Sequence, residues 1–122
     1  MRVPSSIKSA FGPMLLASLA VPWAPAHAVD AEAADKLLRD NKCFKCHAVD
    51  RKKDGPAYRD VAAKFRAEPD AQKPLIFHLT SGEMAKFPDG HEEHHKKVKF
   101  DNQADLDNLA AWLLALEGGR PY

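Results

Sequence analysis

The sequence predicts a small all-α domain of three to five helices. Four segments place apolar residues at helical spacing, and no segment alternates apolar and polar residues as a half-buried strand does. The chain has 122 residues, which is enough for one domain at most. No internal repeat is present, so the helices are expected to pack around a single core.

The first 28 residues do not belong to this predicted domain. Arg2 and Lys8 precede the apolar run "AFGPMLLASLAVPW", and the small-x-small triplet Ala26-His27-Ala28 follows it. This order is typical of a signal peptide cleaved after Ala28. A membrane span is disfavoured, because prolines interrupt the run and it falls short of ~20 apolar residues. We therefore expect a signal peptide over 1–28, a domain over 29–122 and export to a bacterial periplasm.

The predicted mature chain is short and nearly neutral. Without Arg2 and Lys8 it keeps 16 basic side chains against 17 acidic ones, so nothing in its charge indicates nucleic-acid binding. A chain of this size buries only about 60–65% of its unfolded surface. Its aromatic residues are few and its charged fraction is high. A disulfide, a metal or a large apolar cofactor is therefore expected to complete the interior.

The first two helices are predicted on either side of a polar loop. The first covers 30–41, with Asp30 as its N-cap and an apolar stripe of alanines and leucines. The loop closes at Gly55-Pro56. The second helix follows and must end before Pro69.

The second half of the chain predicts two more helices separated by a long loop. One begins near Pro74 and stops at Ser81-Gly82. Residues 83–100 show no periodicity and are expected to be a loop, and loops of that length are often functional. The last helix begins after Asp101 or Asn102 and ends at Gly118-Gly119. Its apolar positions are Leu106, Leu109, Ala110, Leu113 and Leu114.

The only two cysteines lie in "CFKCH", which admits three kinds of site. A redox dithiol usually sits between a strand and a helix, and no strand is predicted here. A structural zinc site would need Cys43, Cys46 and two of the histidines at 47, 91, 94 and 95, whose spacing is irregular. In haem attachment, the two thiols add to the porphyrin vinyl groups and His47 ligates the iron. Export and the thin core favour haem c.

The mature chain resembles a small class I c-type cytochrome over nearly its whole length. The matching features are the helix leading into "CFKCHAVD", the stretch "DGPAYRDVAAKF" and the aromatic in "LAAWLLAL". The resemblance implies a cytochrome c-like fold around one covalent haem c. It also implies that the Pro56 carbonyl accepts a hydrogen bond from His47, that Tyr58 lines the haem pocket and that Trp112 packs where the first and last helices cross. Plain core positions are the alternative for Tyr58 and Trp112.

The chain departs from this family at the distal iron ligand. The family usually places a methionine in the loop before the last helix, but Met84, the only mature methionine, stands 28 residues before Trp112. The family's ligand position falls within "HHKKV", and an "EEHH" segment also resembles a histidine-ligated variant. Neutral imidazole is a good haem ligand. We expect His95 as the distal ligand, with His94 and Met84 as alternatives.

The predicted function is one-electron transfer between redox proteins, without enzymatic activity. We expect a monomer that serves a periplasmic dehydrogenase and an oxidase or reductase, binds no nucleic acid and has no mature membrane span. Lysines could steer docking to an acidic partner. The expected members of that set are Lys42, Lys45, Lys52, Lys53, Lys96 and Lys97. The alternative is a haem-based gas sensor with a labile distal ligand.

Overall fold

Four α-helices form the framework of the computed structural model, which describes residues 28–122. The elements in chain order are α1 (Ala31–Asp40), a 3₁₀ turn (Cys43–Lys45), α2 (Tyr58–Arg66), α3 (Gln72–Ser81), β1 (Met84–Lys86), β2 (Glu92–His94) and α4 (Gln103–Leu114). The all-α prediction of three to five helices is confirmed. None of the helices within 28–122 combines the length and apolar character needed to cross a bilayer. The predicted signal peptide lies, apart from Ala28, outside the described residues.

The helix ends follow the predicted capping signals with one exception. The Asp30 side chain accepts a hydrogen bond from Ala33 N at 2.9 Å, and the Asn102 side chain caps α4 in the same way. Gly82 ends α3 in the left-handed region at φ 69°. The exception is the end of α4, which was expected at Gly118 and lies at Leu114.

Arginines from α2 explain the early end of α4. The Arg66 guanidinium donates to the carbonyls of Leu114 at 2.9 Å and Leu116 at 2.5 Å, and Arg59 donates to the carbonyl of Glu117. Terminal carbonyls of a helix need such partners because no later N–H reaches them. The side-chain donors therefore satisfy these groups without further helical turns.

The segment expected to be an irregular loop contains a small hairpin instead. β1 and β2 pair antiparallel, with Met84 opposite His94. Gly90, at φ 92°, forms the turn and donates from its N–H to the Phe87 carbonyl at 2.9 Å. Strands of three residues are too short to produce a readable alternation, so the expectation that no strand exists was wrong.

The core is built on α4, which contacts each of the other three helices. The largest fully buried side chains of the core are leucines: Leu38, Leu75, Leu106, Leu109 and Leu113. Trp112 is partly buried against this cluster, as are Cys43 and Phe44 of the cysteine turn. The cysteine turn is thus fixed to the helical core.

Candidate functional site

The cysteine turn begins where α1 ends. Lys42 adopts the left-handed conformation at φ 58°, which redirects the chain into the 3₁₀ turn. The N–H groups of Cys46 and His47 both donate to the Cys43 carbonyl, at 3.2 and 3.0 Å. Both cysteines are unpaired and partly buried, and burial raises the pKa of the Cys43 thiol. The turn therefore presents two free thiols and one imidazole from five consecutive residues.

His47 is held in one tautomer by the loop that follows it. Its Nδ1 lies 2.7 Å from the Pro56 carbonyl oxygen, which can only accept, so Nδ1 carries the proton. Nε2 is then left with a free lone pair, the form in which imidazole binds a metal. Burial lowers the pKa of His47, so the ring stays neutral.

Gly55 provides the space that this arrangement needs. A Cβ at position 55 would lie 2.5 Å from Cε1 of His47 and 2.9 Å from its Nδ1. The φ of Gly55 lies outside the positive region, so an alanine could adopt the same backbone conformation, but its Cβ would not fit beside the His47 ring. The sequence analysis treated Gly55 only as a loop residue and missed this contact.

Tyr58 packs directly against the His47 ring. The two rings stack with centroids 4.9 Å apart and planes 16° apart, and Phe44 meets the tyrosine edge-on at 6.0 Å. The Tyr58 side chain is buried, and its hydroxyl lies near the Cys43 thiol and makes no hydrogen bond within residues 28–122. Burial raises the pKa of Tyr58, so the hydroxyl stays protonated. The residue thus lies beside the proximal histidine and offers a buried, unused donor.

His95 faces His47 from the segment that follows the hairpin. Their ring centroids are 6.2 Å apart and their planes differ by 58°. His95 is half-buried, and its Nδ1 is buried without a hydrogen-bond partner in the described part of the chain. Burial, with smaller contributions from His78 and His47, lowers the pKa of His95 to about 4. A second neutral imidazole is therefore present on the opposite side of the site.

The two alternative distal residues lie on the hairpin. Met84 and His94 are directly opposite each other in the strand pair, so their side chains share one face. Met84 is 52% exposed. Nδ1 of His94 lies 2.8 Å from the Gly82 carbonyl, and the residue is exposed.

Backbone hydrogen bonds and one buried amide hold the segment that carries His95. Its N–H donates to the Glu83 carbonyl, and Val98 N–H donates to the Leu79 carbonyl, both at 2.8 Å. Asn41, at 4% exposure, binds the backbone of Lys99 twice: its Nδ2 donates to the carbonyl at 2.9 Å, and its Oδ1 accepts from the N–H at 2.8 Å. The end of α1 and the end of α3 thus both position this segment.

The sequence analysis did not single out His78, which lies on α3. Its ring lies 4.4 Å from that of His95, and its Nδ1 contacts the Glu83 carboxylate. The side chain is 21% exposed. Histidine at helical spacing gives no signal for such a contact, because the partner lies 17 residues later in the chain.

The two imidazoles fit a metal between them. Metal–nitrogen bonds of about 2 Å on each side place two facing imidazole centroids roughly 6 Å apart, and the observed separation is 6.2 Å. Within residues 28–122, no group of three or more His, Cys, Asp or Glu side chains is arranged to hold a metal ion. The four-ligand set of the zinc alternative is therefore not assembled among these residues. Two facing imidazoles beside a pair of thiols would suit haem c.

Comparison with known proteins agrees with this chemistry. The family model for cytochrome c matches residues 31–117. Cytochrome c-551 of Pseudomonas aeruginosa is 34% identical over 101 residues, covering 83% of this chain and 93% of the relative. Cytochrome c-552 of Nitrosomonas europaea is 33% identical over 87 residues, covering 71% and 82%.

A solved structure gives a similar result for the fold. The class 1 cytochrome MtoD from Sideroxydans lithotrophicus ES-1 is 53% identical, with a TM-score of 0.70 over 75% of this chain and all of that one. The crystal structure of Nitrosomonas europaea cytochrome c552 is 30% identical, with a TM-score of 0.54. The chain therefore belongs to the class I c-type cytochromes, small electron carriers that bind one covalent haem c and are not enzymes.

Proposed function

We propose that this chain is a periplasmic one-electron carrier whose haem iron has two histidine ligands, His47 and His95. In this proposal Cys43 and Cys46 form the thioether bonds, residues 1–28 direct export, and 29–122 form the mature domain. The observation that carries the proposal is the 6.2 Å separation between the two neutral, partly buried imidazoles. When bound, the haem supplies an iron that accepts and releases one electron.

The residues around each histidine keep it neutral and oriented. The Pro56 carbonyl accepts a hydrogen bond from the Nδ1–H of His47 and thereby directs Nε2 toward the iron. Tyr58 fixes the plane of the same ring by stacking. On the other side, the backbone bond from His95 to Glu83 sets the position of the distal residue. The chain therefore supplies both axial ligands with little rearrangement.

Histidine in place of methionine should lower the reduction potential. A thioether ligand raises the potential of a haem, and an imidazole lacks that effect. We therefore propose a potential below that of a methionine-ligated class I cytochrome. His95→Met should raise it.

The partners are redox proteins, and we propose that they dock by way of exposed lysines. Lys42, Lys45, Lys52, Lys96 and Lys97 are exposed, which suits steering toward an acidic surface. Lys53 is partly buried and donates from Nζ to the Phe44 carbonyl at 2.5 Å, so it acts within the fold. We propose a monomer that serves a periplasmic dehydrogenase and an oxidase or reductase.

The ligand proposal is tested by three matched variants of the haem-loaded protein. His95→Ala should convert the low-spin absorption spectrum to a high-spin one, whereas Met84→Leu and His94→Gln should leave it unchanged. The oxidised wild type should lack the far-red band of a thioether-ligated iron. A far-red band that disappears in Met84→Leu would assign the ligand to the methionine. A low-spin His95→Ala with a high-spin His94→Gln would assign it to His94.

A further inference from the structure

The distal histidine has a buried nitrogen for which the site described so far provides no partner. Nδ1 of His95 is buried and makes no hydrogen bond to any residue of 28–122. If Nε2 binds iron, Nδ1 must carry the proton, and a buried N–H without an acceptor is destabilising. Metal-bound histidines almost always donate this proton to a nearby acceptor. The proximal histidine follows this pattern through Pro56.

His78 is the side chain in contact with the distal ring. The two ring centroids lie 4.4 Å apart with planes 42° apart. His78 approaches from α3, and Phe65 lies on its other side at 5.6 Å. The ring is therefore confined between the core and His95.

Glu83 sets the tautomer of His78. When the His78 ring is neutral, its Nδ1 carries the proton, because Nδ1 contacts the Glu83 carboxylate, which is an acceptor when ionised. Nε2 of the neutral ring is then an acceptor. The same residue, Glu83, accepts from the His95 N–H through its backbone carbonyl at 2.8 Å. Glu83 thus fixes both histidines relative to one another.

We propose that His78 is the positioning residue of the distal ligand: its Nε2 accepts a hydrogen bond from the Nδ1–H of His95, while Glu83 holds the opposite side of the His78 ring. This inference rests on the proposed ligation by His95. The bond requires the two rings, whose planes lie 42° apart at a centroid separation of 4.4 Å, to reorient when His95 binds iron. The resulting chain from carboxylate to imidazole to imidazole makes His95 a more basic ligand and holds its ring in one orientation.

The Lys96 carbonyl is the competing acceptor, since it also lies close to the His95 ring. A carbonyl from the neighbouring residue would make His78 a packing residue only. The two possibilities differ in what happens when His78 loses its acceptor nitrogen but keeps its bulk.

Cyanide binding to the oxidised haem-loaded protein at pH 8 distinguishes His78 from the Lys96 carbonyl as the acceptor, because cyanide must displace His95. Loss of the outer partner of a metal ligand typically weakens the ligand by about 10–100-fold. His78→Leu should therefore tighten apparent cyanide binding by a similar factor, and His78→Gln, which keeps an acceptor, should stay near wild type. His91→Gln, on the exposed hairpin turn, is the control and should change nothing. Unchanged affinity in His78→Leu, or equal tightening in His78→Gln, would overturn the proposal.

A measurement on the unmutated protein covers the case in which His78→Leu does not fold. In the reduced, diamagnetic protein labelled with ¹⁵N, a coupling across the hydrogen bond should join His78 Nε2 to the Nδ1–H of His95. Its absence, with that proton assigned to a carbonyl bond, would also overturn the proposal. His95→Ala separates the proposed ligation by His95 from the proposed role of His78. If the haem-loaded variant stays low-spin, the ligand assignment is wrong. If it becomes high-spin while His78→Leu binds cyanide as wild type does, only the role of His78 is wrong.

Discussion

Replacing Gly55 by alanine should disturb the proximal histidine through one added methyl group. The new Cβ would lie 2.5 Å from Cε1 of His47, whereas ordinary contact begins at 3.4 Å. Either the ring or the loop must therefore move by about 0.9 Å. Pro56 is the next residue, so both movements act on the 2.7 Å bond between its carbonyl and Nδ1 of His47.

The expected cost has two parts. Overpacking of this kind destabilises a fold by roughly 1–3 kcal/mol. Weakening the Pro56 bond lowers the basicity of His47 and, by the usual effect of such partners, its affinity for the metal by about 10–100-fold. A less basic proximal ligand stabilises the reduced iron, so the reduction potential should rise. Denaturant unfolding and redox titration of the haem-loaded protein measure the two parts separately.

Gly90→Ala is the matched control, because it adds backbone strain without a steric clash, whereas Gly55→Ala adds a clash without backbone strain. Gly90 has φ 92°, which strains an alanine, but no atom lies within 4 Å of the new Cβ. This variant should lose roughly 1–2 kcal/mol of local hairpin stability and keep the potential of the wild type. The reasoning about Gly55 fails if Gly55→Ala folds with the wild-type potential, or if both variants shift the potential equally.

Three further changes test other contacts of the site. Asn41→Ala removes three hydrogen bonds made by a buried amide to Leu37 and Lys99, and should lower the free energy of unfolding by about 2–3 kcal/mol; a loss below 0.5 kcal/mol in a denaturant titration would contradict this. The stability that neutral His95 gives the fold should be fully present above pH ~6.5. As the pH falls toward 4, the free energy of unfolding should decrease by about 2–3 kcal/mol, allowing for partial exposure of the ring. Because His95→Met cannot titrate, it should lack this loss, and equal acid sensitivity in both proteins would refute it. Tyr58→Phe keeps the stacked ring and removes a hydroxyl that has no partner in the described chain, so haem-loaded stability should change by less than ~1 kcal/mol unless the haem accepts that bond.

Much of this architecture follows from local signals in the sequence. Asp30 and Asn102 begin helices because each side chain accepts a hydrogen bond from an N–H of the first turn, and Gly82 ends α3 because it adopts the left-handed conformation. These signals need no tertiary information. The contact between His47 and Pro56 was expected from a family resemblance, and the structure places these atoms 2.7 Å apart.

The remaining features depend on contacts between distant segments. The end of α4 depends on Arg66, which lies 48 residues before Leu114. The amide of Asn41 reaches Lys99 across 58 residues. The short strand pair and the contact between His78 and His95 produce no periodic pattern in the sequence. Each involves only a few residues, which the packing of α3 brings together.

These distant contacts bear on whether the haem carries electrons or senses gases. A sensor needs a distal ligand that leaves easily, whereas a carrier loses little energy to rearrangement if both ligands stay bound in both oxidation states. The segment of His95 is fixed by backbone bonds to Glu83 and Leu79 and by the amide of Asn41. Moving His95 away would break several of these bonds, each contributing about 0.5–1.5 kcal/mol. The long loop that made a labile ligand plausible is therefore tied at both ends, which favours electron transfer over sensing.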